Sequence, residues 1–136
     1  MKIQRLAALV VAVSTVAPVV AHLEGTTQVV IENDRLEPRT LETETGQRVN
    51  FVNRTGHPVH LQFIGDLRQH EVIQIPGTGP VWAIFHVPGT HPYTVHIYGR
   101  ETRALDGVIS VTIDETHQWQ SGTCAIVVEG NCIAEP

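Results

Sequence analysis

The chain has 136 residues, 42% hydrophobic, 17% charged and only 5% aromatic, with a formal net charge of −5 at pH 7. That length suits one domain around one core. The acidic balance, with no basic stripe and little aromatic stacking material, argues against a nucleic-acid partner.

The N-terminus reads as a targeting segment. Lys2 and Arg5 precede an apolar run from Leu6 to Ala21 that ends Val19-Val20-Ala21. A charged start, an apolar middle and a small-residue end describe a secretory signal peptide over residues 1–21, cleaved after Ala21. The alternative is an uncleaved anchor. Against it, the run is shorter than the ~20 apolar residues of a membrane span and contains Ser14, Thr15 and Pro18. Cleavage would take the net charge to −7 by removing Lys2 and Arg5, and leave no membrane span. The expected location is periplasmic or secreted.

The rest alternates short strand patterns with turn residues and shows no helical period. Gln28–Glu32 is a first strand, followed by an Asn33-Asp34 turn. Thr40–Thr45 alternates weakly and turns at Thr45-Gly46-Gln47 into Arg48–Asn53, where Val49, Phe51 and Asn53 share one face. His60–Ile64 and Gln69–Ile75 follow, separated by Gly65-Asp66, and residues 76–80 (PGTGP) break the chain. Val81–Val87 and Pro92–Tyr98 read as a hairpin around Pro88-Gly89, and Gly107–Ile113 is the last strand of the series. So many short strands predict an all-β sandwich or Greek-key barrel.

Strand Val81–His86 is apolar on both faces, with Trp82 and Ile84 on one and Ala83 and Phe85 on the other. The second face needs cover. Either the tail from Asp114 to Pro136 lies over it, or a protein partner of the cell envelope docks on the Trp82/Ile84 face. The tail holds both cysteines, Cys124 and Cys132, around a Gly130-Asn131 turn. In an exported protein a disulfide is the simpler expectation, and a metal-binding thiolate pair the alternative.

Eight histidines follow residue 21: His22, His57, His60, His70, His86, His91, His96 and His117. Imidazole suits Cu(II), Zn and Ni, but a site needs about three converging donors. Parity turns Tyr93, Val95 and Ile97 toward the core, so His96 and Thr94 point outward. His57 and His60 could reach the same spot across a bend, and His86 could approach His91 across the Pro88-Gly89 turn. His22 would become the mature N-terminus, where its α-amine and imidazole together could chelate Cu(II) as half of a histidine brace. Each histidine can equally be a solvated or hydrogen-bonded residue. No serine elbow, cysteine nucleophile or carboxylate pair stands out, so no enzyme is expected. Asn53-Arg54-Thr55 matches a glycosylation sequon.

Three stretches carry a resemblance to a known family. Val87–Val111 (VPGTHPYTVHIYGRETRALDGVISV) resembles the last hairpin and ligand loop of the cupredoxins, the plastocyanin and azurin type of small copper protein. Gly46–Asn53 (GQRVNFVN) matches that family's G-x-x-V-x-F-x-N strand, and Gly56–Phe63 (GHPVHLQF) the place where a ligand histidine enters. With Asn33–Pro38 (NDRLEP), the likeness runs from Gln28 to Ile113. It implies a cupredoxin-like Greek-key sandwich over 22–113, with 114–136 as a disulfide-stapled extension. It also places Val95 at the thiolate position, Tyr98 at the second histidine and Leu105 near the axial methionine, keeping only His60. A blue centre needs a His2Cys set, and Val95 offers no donor.

Two functions follow from this reading. One is an exported protein that binds copper in a non-blue site, for handling or delivery, through His60 with His57, His96, His86 or His22 and with Tyr98 as a phenol donor. The other is a metal-free interaction or assembly module of the envelope.

Overall fold

The computed structural model describes residues 27–64, 72–77, 80–99, 102–116 and 124–135. Residues 1–21, expected to be a signal peptide, and His22, His70 and His117 lie outside them. Among the described residues eleven strands form in chain order: β1 Thr27–Ile31, β2 Leu36–Glu37, β3 Thr40–Glu44, β4 Arg48–Asn53, β5 Val59–Phe63, β6 Val72–Ile75, β7 Pro80–Phe85, β8 Gly89–Tyr98, β9 Thr102–Thr112, β10 Ile126–Val128 and β11 Asn131–Ala134. They build two sheets, ordered β11-β10-β7-β4-β1-β2 and β3-β9-β8-β5-β6. The pairs β1/β4 and β3/β9 run parallel, and the remaining ladders are antiparallel.

The two-residue side-chain period decides what faces inward. In β4, Val49, Phe51 and Asn53 are buried and alternate with half-buried or exposed neighbours. In β8, Tyr93, Val95 and Ile97 are buried, as the parity of that strand requires. Four aromatic rings lock the sheets together. Phe51 and Phe85 come from one, Phe63 and Tyr93 from the other, with edge-on contacts at centroid separations of 5.5 Å for Phe51–Tyr93 and 5.5 Å for Phe63–Phe85. Such edge-to-face pairs add to simple area burial.

Tyr93 departs from the ordinary rule for buried phenols. It is 1% exposed, and its Oη has no hydrogen-bond partner among the described residues. Burial alone raises its pKa well above the ordinary 10.0. Removing that hydroxyl with Tyr93→Phe is therefore expected to raise stability by about 1 kcal/mol, the cost of an unpaired buried polar group. The pH dependence has a fixed sign. A phenol whose pKa rises on folding stabilises fully below 10.0 and loses that contribution at higher pH, where the unfolded chain ionises first. Denaturant titrations should show this alkaline loss in the wild type and a weaker one in Tyr93→Phe.

One expectation from the sequence needs correction. The segments around Pro88-Gly89 are not a hairpin, because β7 and β8 belong to different sheets. Pro88-Gly89 is a crossover between layers, and Gly89 takes a positive φ of 122° there. The true hairpin is β8/β9, paired continuously from Gly89↔Val111 to Tyr98↔Thr102. Of the tail, residues 124–135 fold into β10 and β11 and extend the first sheet sideways, with Ile126↔Phe85, Val127↔Ile84 and Val128↔Ala83 in register, while residues 117–123 lie outside the described residues. Trp82 and Ile84 are half-buried. The Arg48 guanidinium lies 4.3 Å from the Trp82 ring centroid, and Val127 stands beside Ile84.

The cysteines are bonded, Cys124 to Cys132, with Cα atoms 5.6 Å apart. Neither thiolate remains to bind a metal.

Candidate metal centre

The outer face of the second sheet gathers the histidine chemistry. In β5, Val59, Leu61 and Phe63 point into the core, so His60 and Gln62 point out. In β8 the same alternation sends Thr94, His96 and Tyr98 outward. The antiparallel register sets His60 directly opposite His96. Cross-strand neighbours of this kind have Cβ atoms about 4.5–5.5 Å apart, close enough for two imidazoles to share a ligand. The Tyr98 ring packs on His60 with centroids 4.4 Å apart at 59°, while Tyr98 remains 44% exposed.

His57 lies at one end of this row. Tyr98 donates its backbone N–H to the Pro58 carbonyl at 3.1 Å, which ties residues 57–58 to the end of β8. A Cβ on Gly99 would stand 3.5 Å from His57 Nε2, so the imidazole runs against the residue that follows Tyr98. The segment carrying His57 is clamped from within. Asn53, 6% exposed, donates from Nδ2 to the carbonyls of His57 at 2.7 Å and Pro76 at 3.2 Å. Its Oδ1 accepts from the Thr55 N–H and hydroxyl, and Thr55 Oγ1 accepts the His57 N–H at 3.1 Å.

All polar atoms of the Asn53 amide are thus engaged inside the fold, and the sequon reads as an internal turn lock. The sequence holds one signal for this role, since parity places Asn53 inward beside Val49 and Phe51, where a polar group must find partners. Asn53→Ala is expected to cost about 2 kcal/mol by orphaning those carbonyls, measured by urea unfolding. The His57 resonances should broaden as its segment loosens.

The other candidates stand elsewhere. His86 follows β7 on the first sheet and donates its N–H to the Ala125 carbonyl at 2.9 Å. His91 points inward. It is buried, donates from Nε2 to the Val87 carbonyl at 2.8 Å, and packs against Phe85 with centroids 5.3 Å apart. Of the five sequence candidates, the fold brings His60 and His96 together, sets His57 at the end of the row, and puts His86 on the other sheet. His22 falls outside the described residues. Among the described residues, no group of three or more His, Cys, Asp or Glu side chains is arranged to hold a metal ion. Val95 is fully buried, and Leu105, opposite it in register, packs against the core. Both positions are apolar filling.

No protein-family model matches the sequence, and no curated protein matches it. Solved structures do. An oxidized mutant of amicyanin aligns over 65% of this chain and 83% of its own, at 19% identity and a TM-score of 0.53. Another amicyanin mutant, described with Cu(I), aligns over 65% and 83% at 19% identity and a TM-score of 0.50. A purple cupredoxin from Nitrosopumilus maritimus aligns over 63% of this chain and 99% of its own, at 19% identity and a TM-score of 0.47. The sheet order, the two parallel contacts and the two amicyanin alignments agree: the chain folds as a cupredoxin-like β-sandwich.

Proposed function

We propose that this protein is an exported copper-binding protein whose site is non-blue and built from histidines on the outer face of the second sheet. One observation carries the reading: His60 and His96 are cross-strand partners, with the Tyr98 ring packed on His60. Two imidazoles and a phenol are donors that suit Cu(II), which leads the divalent first-row series in affinity for nitrogen and oxygen ligands. His57 is the nearest further imidazole by position in the fold. The copper ion would supply a positive charge that exchanges ligands at an open surface. The chain's own residues hold it without a thiolate, which suits handling or delivery over rapid electron transfer. Disulfide pairing of Cys124 and Cys132 supports an oxidising compartment, in keeping with the apolar leader.

The test is a Cu(II) titration of the mature protein by calorimetry and EPR. A saturable site with nitrogen hyperfine structure and no intense blue band is expected. His60→Ala and His96→Ala should each weaken it by about tenfold or more, the scale of losing one ligand's share of binding energy. His86→Ala should not change it. A His22→Ala variant removes the side-chain part of any N-terminal chelate. Unchanged affinity in both the His60 and His96 variants would sink the assignment.

A further inference from the structure

A paired His60 and His96 make half a metal site. Closed first-row sites take about four donors, and zinc sites are almost always tetrahedral. Among the described residues, no third His, Cys, Asp or Glu joins these two. Their ladder neighbours are mostly uncharged, with Asp106 the exception. In the ladder row through the histidines, Gln74 lies opposite His60 on the β6 side, and Ala104 opposite His96 on the β9 side. The next row holds Gln62, Thr94 and Asp106, and Thr94 donates its hydroxyl to the Asp106 carboxylate at 2.9 Å. For a chain of net charge −5, the uncharged residues of the histidine row itself put no carboxylate directly against a second copy that meets it there. Tyr98, an exposed large hydrophobic side chain, borders the same row and offers contact area to whatever covers it.

We propose that two copies of this chain meet across the outer faces of their β5/β8 strand pairs and share one divalent first-row ion, each supplying His60 and His96. A two-fold axis through the ion makes the contact isologous. It turns two imidazoles per chain into four nitrogen donors, the number a tetragonal Cu(II) site or a tetrahedral zinc site takes. The inference rests on the copper reading above, because it uses the same two histidines, and it adds the partner that finishes their site. Surface exchange of the ion and assembly of the pair become one equilibrium. Each ion bound draws two chains together, and dilution or a competing chelator releases both.

The experiment is light scattering on a sizing column combined with metal analysis, on chelator-treated protein titrated with Cu(II) alone and with Zn(II) alone. The His22→Ala variant runs in parallel, so that an N-terminal chelate cannot mimic the result. The expected outcome is saturation at one ion per two chains, with the mass doubling as the ion is added and halving when chelator is restored. His60→Ala and His96→Ala should stay monomeric at the same ion concentration. One ion per chain with unchanged mass overturns the shared site and leaves the single-chain copper reading standing. A dimer that forms without metal, or that persists in both variants, overturns the role of the ion. No saturable binding of either ion overturns both readings.

Discussion

Gly107→Ala is expected to cost about 3 kcal/mol, near the top of the range for overpacking a closed core. Gly107 lies directly opposite Tyr93 in the β8/β9 ladder. A Cβ there would overlap Cζ and Oη of Tyr93 and stand 2.8 Å from Cε1. The phenol ring lies across the glycine because no side chain occupies the space. The ring has no free direction, since Phe51 and Phe63 crowd it with centroids 5.5 and 5.9 Å away. Two strands would have to separate, or the aromatic cluster repack. Tyr93→Phe does not relieve the clash, because the Cζ overlap survives. Tyr93→Leu should relieve part of it, making the double variant less destabilised than the sum of the singles. Strict additivity in urea titrations would show that the ring does not rest on Gly107.

The same pair shows what the sequence discloses and what it withholds. A period-two reading placed Tyr93, Val95 and Ile97 in the core and set the bounds of Arg48–Asn53 as observed, because alternation is a local property of the chain. It could not say that the space over Gly107 belongs to a tyrosine ring, since that depends on which strands pair. The Pro88-Gly89 segment failed for a related reason. A proline and a glycine mark a change of direction, but the chain can return along its own sheet or cross to the other. β9 begins at Thr102, ahead of the apolar stretch from Gly107, because the ladder with β8 holds Thr102–Asp106 in register despite their mixed polarity.

The candidate site divides in the same way. That His96 faces outward was readable from parity, and His60 was singled out by resemblance. Their placement opposite each other follows from β5 lying next to β8, which no spacing along the chain encodes. His91 shows the limit of reading a histidine by type: parity with Tyr93 turns it into the core, where the Val87 carbonyl satisfies it.

Breaking the Cys124–Cys132 bond, by a Cys124→Ser/Cys132→Ser double variant, is expected to lower stability by about 2.5 kcal/mol. That is the chain-entropy value for so short a closed loop. The loss should be local before it is global. β10 and β11 are joined by Glu129-Gly130, both at positive φ (48° and 82°), the signature of a tight type I′ hairpin. The hairpin is tied to β7 by three register pairs and by Glu129, whose carboxylate accepts the Trp82 N–H at 2.9 Å. It also buries Ala125, Ile126, Val128, Ile133 and Ala134 in the common core. Apolar burial of that extent should keep the hairpin docked at room temperature, while amide exchange in β10 and β11 accelerates ahead of β4 and β8. Where it does detach, β7 becomes an exposed sheet edge with Trp82 and Ile84 beside it, so aggregation on warming should follow. The Cu(II) titration provides the control. The proposed copper site at His60 and His96 sits on the opposite sheet, so the double variant should titrate with Cu(II) as the wild type does while it stays folded. A weaker titration before any loss of β10/β11 protection would mean that the two sheets are coupled, and would move the site away from the β5/β8 face.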